Sequence, residues 1–211
     1  MLDLGCGQGL YSRVLAQRGA KVIGVDLNMD TLRTAQKQRA GRCYFVCADA
    51  GHLPFRDVAF DMAVSVEVLS HSPPSPRRRI LGAIAASLKD GGQAYITLHN
   101  RARLTLSRWL RLQRGQKVYA TPGLDVWPQH PSAAERELAC CGLRVVGSAK
   151  YLNYHSRFSY AFYKAHPRSA RLLIILEDLL SRLPLLRRLA ITYLLVVEND
   201  SRIGVSAENT Q

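Results

Sequence analysis

Residues 1–9 read MLDLGCGQG, a short apolar segment that runs directly into three glycines at alternate positions. The apolar segment predicts a buried strand, and the glycines predict a tight turn whose backbone can approach a ligand closely. Residues 10–18 follow with the pattern of a helix. A strand, a glycine turn and a helix in this order are typical of βαβ units, so the opening stretch favours an α/β fold with a parallel sheet.

The alternation of strand and helix continues through residue 98. Strands are predicted at 1–5, 21–25, 43–48, 60–66 and 93–98, and helices at 10–18, 29–40 and 76–89. The apolar runs lack strict alternation, as expected where helices cover both faces of a sheet. Ser75 is predicted to cap the third helix, and Gly91-Gly92 to end it.

Beyond residue 98 the segments become longer and more basic. Residues 101–114 predict a helix with five arginines mostly opposite an apolar side. A capping-box pattern at Ser132 and Glu135 predicts the start of another helix. Two further strands are predicted at 143–150 and 191–198, and between them lies an apolar stripe of helical spacing at Leu172, Ile175, Leu176, Leu179 and Leu183.

Length and composition bound the class of protein. A chain of 211 residues suits one domain, and 47% apolar with 21% charged residues excludes a disordered or fibrous protein. We expect a single domain over 1–200. Within it, 101–130 and 152–190 are expected to be accessory segments on the substrate side, and 201–211 a disordered tail.

The sequence carries no predicted membrane span or leader. No apolar run reaches the roughly 18–20 residues that a membrane helix requires, because Glu177, Asp178 and Arg182 interrupt the most apolar stretch. No basic segment precedes an apolar one at the start, so no secretory signal is expected. The five cysteines show neither CxxC nor zinc-site spacing, which favours free thiols. We expect a cytoplasmic location, with a peripheral place at a membrane as the alternative.

The net charge of +13 is concentrated in the middle of the chain. Residues 101–171 hold 13 of the 29 basic residues and only three of the 16 acidic ones. Three interpretations of the helix at 101–114 stay open: a solvated face, a lid over an apolar acceptor, or contact with an anionic membrane surface. Nucleic acid is less favoured as a partner, because residues 101–171 contain no recognisable RNA-binding motif.

Acidic residues stand where the first strands are predicted to end. Asp26, Asp49 and Glu67 follow strands two, three and four, and Asp3 lies within strand one. Ligands of open α/β sheets bind beyond the carboxyl ends of the strands, so these acids are expected in one crevice beside the glycine turn. They would repel a pyrophosphate, and the GxGxG spacing with Leu10 departs from the dinucleotide fingerprint. An adenosine that carries positive groups fits better.

Each acid also has a structural interpretation. For Asp26 and Asp49 the structural alternative is a helix cap or a solvated loop carboxylate. Asp3 fits a role in capping local backbone groups, and Glu67 a supporting role.

The segments LDLGCGQG, VIGVD, ADAGHLPFRDVAFDMAVSVEVLSH and LKDGGQAYITL, in this order, resemble class I S-adenosylmethionine-dependent methyltransferases that modify small molecules, quinones and lipids. The resemblance implies a doubly wound, Rossmann-like sheet of seven strands that closes with an antiparallel C-terminal hairpin. It implies S-adenosyl-L-methionine as cofactor and a small-molecule or lipid-like methyl acceptor. Family members usually carry helices ahead of the first strand, so a chain extended upstream is expected to bind cofactor more tightly.

The resemblance also implies roles for individual residues. Asp3 and the backbone around Gly5, Gly7 and Gly9 would hold the methionine part of the cofactor. Asp26 would bind the ribose hydroxyls and Leu27 would pack on the adenine. Asp49 and the backbone of Ala50 would contact the adenine amino group, and the stretch from Glu67 to His71 would lie next to the methyl group.

His71 is the main candidate for a catalytic base, because it follows strand four and precedes a proline turn. Loop packing is its alternative role, since many methyl transfers need no base. His99, His130, His155 and Tyr11 are weaker candidates, and no metal-ligand cluster is expected to join them. Two other functions stay open: methylation of RNA such as tRNA, and binding of the cofactor without activity.

Overall fold

The computed structural model describes residues 1–101, 120–121, 124–147, 150–152 and 190–200, with isolated positions between 169 and 183. The helix predicted at 101–114 and the tail at 201–211 lie outside the described residues, apart from Arg101. Most of the accessory segments at 101–130 and 152–190 do so as well. The single-domain boundary therefore stays a prediction.

Strands and helices alternate through the first half as the sequence predicts. The elements there are β1 (Leu2–Leu4), α1 (Leu10–Gln17), β2 (Val22–Asp26), α2 (Met29–Lys37), β3 (Cys43–Cys47), β4 (Phe60–Ser65), a 3₁₀ turn (Leu69–His71), α3 (Pro74–Ser87) and β5 (Leu88–His99). The later elements are β6 (Ala120–Thr121), β7 (Leu124–Asp125), α4 (Pro131–Ala139), β8 (Leu143–Val145), β9 (Lys150–Leu152) and β10 (Thr192–Asn199).

The main sheet has the order β3-β2-β1-β4-β5-β10-β8. The first five strands are parallel, and β10 runs antiparallel to β5 and to both β8 and β9. Because β8 and β9 follow one another along the same edge of β10, the described part of the sheet is seven strands wide. The α/β class, the seven strands and the antiparallel C-terminal hairpin are thus confirmed.

Helices cover both faces of this sheet. Asp3 of β1 accepts a hydrogen bond from Ser12 of α1, so α1 lies on the face to which Asp3 points. Leu2 and Leu4 point to the other face because side chains alternate along a strand. They join the larger core cluster, to which α3 contributes Ile84. The alternation predicted from the sequence therefore yields a doubly wound sheet.

Two predicted boundaries differ from the structure. Helix α3 begins at Pro74 after an N-cap at Pro73, so Ser75 lies inside the helix and caps nothing. The helix ends at Ser87, and β5 begins at the next residue. Gly91-Gly92 therefore lies within the strand, where Gly91 adopts a φ of 70° and the register with β4 shifts. Glycine in a strand marks such irregularities as readily as it ends a helix.

The helix at 131–139 also begins differently from its predicted start. Its N-cap is His130, which makes no side-chain capping bond, and Ser132 lies inside the first turn. The Ser132 hydroxyl instead meets Nδ1 of His130 at 3.0 Å. Pro131 at the first helical position explains the earlier start, since its fixed φ suits that position.

The apolar stripe between the last strands faces outward at its described positions. Leu172, Ile175, Leu176 and Leu179 are helical, and their exposed fractions range from 49% for Leu176 to 68% for Leu172. Leu183, just beyond the helical positions, is 53% exposed. A search of the described residues finds no helix with the length and hydropathy that a membrane crossing demands.

Candidate functional site

The glycine turn after β1 is held against β2 by backbone hydrogen bonds. The amides of Gly5 and Cys6 both donate to the carbonyl of Val25, at 2.7 and 2.9 Å. Gly5, Gly7 and Gly9 have φ values of 70°, 51° and 72°, a region that L-residues rarely adopt. A Cβ on Gly7 would meet nothing within 4 Å, so the middle of the turn is open to a ligand.

Asp26, at the end of β2, is tied to this turn. Its Oδ2 accepts from the amide of Gly7 at 2.8 Å, and its Oδ1 accepts from the amide of Asn28 at 2.9 Å. A carboxylate has about four acceptor sites, so each oxygen of Asp26 keeps one for a ligand donor. Two free acceptor positions on one carboxylate suit a pair of neighbouring hydroxyls.

Asp49 lies beyond β3 and is oriented by its own loop. Its Oδ1 accepts from the amide of Gly51 at 2.8 Å, and its Oδ2 lies 3.1 Å from Nδ1 of His52. The Gly51 amide, followed by His52, holds the pKa of Asp49 below its usual range. Asp49 is therefore a carboxylate with a fixed orientation at neutral pH.

These elements enclose a cleft of about 280 Å³ at the carboxyl ends of β1, β2 and β3. Its lining residues are Gly5, Val25, Asp26, Leu27, Ala48, Asp49, Ala50, Val68, Ser72, Pro76 and Ile80. Among the described residues, the lining holds two carboxylates and no lysine or arginine, in a chain of net charge +13. Leu27 is 74% exposed beside these acids and offers an apolar surface. The cleft thus suits a ligand with an apolar ring, hydroxyl groups and positive charge, and disfavours a diphosphate.

Asp3 lies outside the lining of this cleft. Its exposed fraction is 2%, and its Oδ2 accepts from the hydroxyl of Ser12. Burial raises its pKa, against the effect of the Ser12 hydroxyl and amide. In this structure the Asp3 side chain joins β1 to α1, and its contact with a cofactor stays a prediction.

Glu67 follows β4 in a left-handed conformation, with φ of 61°. Such a conformation costs a non-glycine residue about 1–2 kcal/mol and has to be held by its surroundings. Thr97 of β5 holds it: the Glu67 amide donates to the Thr97 hydroxyl at 2.8 Å, and that hydroxyl lies 3.2 Å from Glu67 Oε1. The Glu67 carboxylate is thereby fixed in position.

His99, the last residue of β5, meets this carboxylate. Its Nε2 lies 2.7 Å from Glu67 Oε2, and its backbone amide donates to the Ser70 hydroxyl at 2.8 Å. Burial raises the pKa of Glu67, but hydrogen bonds from His99 and Thr97 and the nearby imidazoles outweigh this effect and leave it lowered. The His71 ring lies edge-to-face with His99, with 6.1 Å between centroids.

We call Glu67, His71 and His99 the Glu-His-His cluster. One ligand atom from each residue lies within 4.8 Å of the other two. Tyr11 lies near enough for Glu67 to raise its pKa, although burial is the larger cause. This cluster corrects the sequence-based expectation that no metal-ligand cluster joins His99, a weaker candidate that lies far from Glu67 along the chain. The strand-end rule finds it when applied to β5, since β4 and β5 are neighbours in the sheet.

Comparison with known proteins agrees with this geometry. A family profile described as a methyltransferase domain matches residues 2–96. The ubiquinone biosynthesis O-methyltransferase of Idiomarina loihiensis is 34% identical over 117 residues, which are 52% of this chain and 45% of that protein. The chain spans less than half the length of the curated relatives that it matches first.

Solved structures extend the similarity over nearly the whole chain. A SAM-dependent methyltransferase from Methanosarcina mazei has a TM-score of 0.68 at 21% identity, over 94% of this chain and 91% of that one. The magnesium protoporphyrin IX methyltransferase ChlM from Synechocystis PCC 6803, with bound SAH, has a TM-score of 0.61 at 18% identity, over 94% and 73%. At these identities the likeness shows the fold.

The sheet order and the glycine turn are those of the fold that these S-adenosylmethionine-dependent methyltransferases share. Residues 2–96 match the methyltransferase-domain profile, and this similarity supports S-adenosylmethionine as the cofactor.

Proposed function

We propose that this protein transfers the methyl group of S-adenosylmethionine to a small-molecule or lipid-like acceptor. The observation that carries the proposal is the acid-lined cleft, whose described lining has two carboxylates and no basic side chain beside an open glycine turn. S-adenosylmethionine presents a ribose diol, an adenine ring and two cationic groups, each of which this cleft can satisfy. When bound, it supplies an electrophilic methyl group.

Four groups of this chain are proposed to hold the cofactor. Asp26 accepts from the ribose hydroxyls through the acceptor positions that Gly7 and Asn28 leave open. Leu27 packs on the adenine. At the edge of the adenine, Asp49 accepts a hydrogen bond and the backbone of Ala50 donates one. The turn at Gly5, Gly7 and Gly9 holds the methionine part together with Asp3 and Glu67.

The acceptor is proposed to bind at the Glu-His-His cluster. Glu67 and Val68 follow β4, and Val68 lines the cofactor cleft next to Gly5. An acceptor at the cluster would therefore lie beside the methionine part of the cofactor. The cluster, rather than His71 alone, then prepares the acceptor for attack, while the cleft brings the reacting groups together.

Binding measurements test the cofactor assignment. S-adenosylmethionine, S-adenosylhomocysteine and NAD are titrated calorimetrically in parallel, and only the first two are expected to bind. Asp26→Ala should weaken both by about 1–3 kcal/mol, the range for hydrogen bonds to a charged group. Asp30→Ala is the matched control, because Asp30 pairs with Arg33 on the exposed side of α2. Equal affinity of wild type and Asp26→Ala would remove Asp26 from the site.

Transfer of a labelled methyl group tests the reaction itself. A panel of phenols, amines and carboxylic acids distinguishes the attacked atom, and turnover with any of them excludes a binding module without activity. RNA methylation would instead give tRNA binding that falls steeply with salt. Tight, salt-sensitive tRNA binding without small-molecule turnover would favour the RNA alternative.

Contact with an anionic membrane surface is also part of the proposal. It is supported by the exposed apolar side chains at Leu172, Ile175, Leu176 and Leu179 and by the basic excess of residues 101–171. Sedimentation with anionic vesicles is expected, to be lost with neutral vesicles or high salt. Leu172→Ser combined with Leu176→Ser should reduce it, and unchanged sedimentation would contradict this contact. A cytoplasmic location accords with the five free cysteines.

A further inference from the structure

The Glu-His-His cluster has the composition of a metal site. We propose that Glu67, His71 and His99 bind a divalent transition-metal ion such as Zn²⁺, and that this ion ligates an ionisable hydroxyl of the methyl acceptor. The place of the acceptor rests on the proposed function. Metal binding stands independently of it and can be measured without turnover.

The three ligand atoms are close enough for one ion. Each lies within 4.8 Å of the other two, and Glu67 Oε2 is 2.7 Å from His99 Nε2. Two atoms bound tetrahedrally to one zinc ion at about 2.1 Å lie about 3.4 Å apart. The Glu67–His99 pair therefore needs to open by under an ångström. His71 needs to approach the other two by up to about 1.4 Å, which a side-chain movement can supply.

Neighbouring side-chain hydroxyls hold two of these ligands before any ion arrives. Thr97 fixes Glu67 in its left-handed conformation by bonds to both its amide and its carboxylate. The Ser70 hydroxyl accepts from the amide of His99 at 2.8 Å, which ties the end of β5 to the 3₁₀ turn that carries His71. A strained residue that its neighbours hold in place is typical of functional sites.

The cluster also leaves room for a further ligand. The side chain of Glu67 is 36% exposed and that of His99 is 24% exposed, so the ligands reach solvent from one side. Two imidazoles and one carboxylate are the ligand set of several catalytic zinc sites, which keep one position for water or substrate. The same set serves non-haem iron. A structural site would instead close its coordination with a fourth side chain.

An ion at this position would favour attack by oxygen. It would lower the pKa of a bound hydroxyl, as zinc lowers that of bound water to about 7. The hydroxyl proton leaves to water, the oxygen–carbon bond to the methyl group forms, and the carbon–sulfur bond of the cofactor breaks. The products are the methyl ether and S-adenosylhomocysteine, and no oxidant or reductant is consumed.

Metal titrations test the site directly. The chelator-treated protein, with its cysteines alkylated, is titrated with Zn²⁺ against a chromophoric chelator and with Co²⁺ by visible absorption. We expect one ion per chain and a Co²⁺ spectrum of nitrogen and oxygen ligands. We expect at least about a 100-fold loss of Zn²⁺ affinity in each of His71→Ala, His99→Ala and Glu67→Gln. Even the loss of a residue that only hydrogen-bonds to a metal ligand costs about 10–100-fold in affinity. His130→Gln, at an exposed histidine, should bind as wild type does.

The outcomes separate this proposal from the proposed function. Loss of metal affinity in the three variants, with unchanged circular dichroism and with unchanged S-adenosylhomocysteine binding by the two histidine variants, supports the site. The more conservative His99→Gln replaces His99→Ala if the latter unfolds. Absence of stoichiometric Zn²⁺ binding, or binding that all three variants retain, overturns it. Metal-free protein that still methylates an acceptor at the full rate would overturn the metal proposal and leave methyl transfer standing.

Discussion

Gly5 is the position at which the cofactor turn tolerates a side chain least. It adopts a φ of 70°, and a Cβ built there would lie 2.1 Å from Cγ2 of Val68. Gly7 has a φ of 51° but open space around the same atom. Alanine at Gly7 therefore carries only the cost of the left-handed conformation, about 1–2 kcal/mol. Alanine at Gly5 carries that cost plus an overpacking cost of about 1–3 kcal/mol.

The comparison of Gly5→Ala with Gly7→Ala isolates the packing against Val68. Urea unfolding of both variants is expected to show Gly5→Ala less stable than Gly7→Ala by about 1–3 kcal/mol. Val68→Ala removes the atom at 2.1 Å and the second methyl, and leaves Cβ at 3.3 Å. The double variant Gly5→Ala/Val68→Ala should therefore recover most of the difference.

A double-mutant cycle decides whether this reasoning holds. The coupling free energy between Gly5→Ala and Val68→Ala is expected to be favourable and well above the usual error of about 0.3–0.5 kcal/mol. Equal stability of the two glycine variants, together with additive effects of Gly5→Ala and Val68→Ala, would show that Val68 does not restrict the turn.

Three further predictions concern buried and exposed groups. Arg77→Met leaves Glu137 buried without its ion-pair partner, so the free energy of unfolding in urea should fall by about 3–5 kcal/mol. Adding Glu137→Leu should recover most of this loss. Burial raises the pKa of Asp3 above its unfolded value, so its charged form opposes folding and this penalty fades as pH falls. As pH falls from about 7 to about 4.5, wild type should therefore gain stability relative to Asp3→Asn, so the unfolding free energy of the variant minus that of wild type should decrease. An increase in this difference would contradict the prediction. The thiol of Cys47 lies 3.5 Å from the Leu27 carbonyl, so Cys47 should be alkylated more slowly when S-adenosylhomocysteine is bound. Exposed Cys140 is the control and should react at an unchanged rate. Mass spectrometry measures the alkylation of each cysteine.

The cofactor half of the site could be predicted from local sequence. A strand boundary such as Val22–Asp26 follows from an apolar run that ends at an acid, and the glycine turn follows from spacing alone. These features depend on neighbours in the chain. Two of the four acids that the sequence predicts in one crevice, Asp26 and Asp49, line the cleft, whereas Asp3 and Glu67 lie outside its lining.

The Glu-His-His cluster, where the acceptor is proposed to bind, could not be predicted in the same way. The pair of Glu67 and His99 exists only because β4 and β5 lie side by side, and the role of Thr97 depends on a left-handed residue that no propensity anticipates. The burial of Asp3 is also a tertiary effect, since the Ser12 hydroxyl comes from the helix above it. Helix and strand at Ser87 and Leu88 adjoin without a break, because pairing with β4 overrides the local glycine signal.

Strand β10 has a consequence for how the chain folds during synthesis. It lies between β5 and the β8–β9 edge, and Tyr193, Leu195 and Val197 are fully buried there. Pairs such as Leu98 with Tyr193 join segments that are far apart in the sequence, so the pairing of β5 with β10 is slow to form. Until residues 192–199 have left the ribosome, β5 presents a long unpaired edge to other nascent chains. Yield in cells should therefore depend on chaperone supply more than the stability of the finished sheet would suggest.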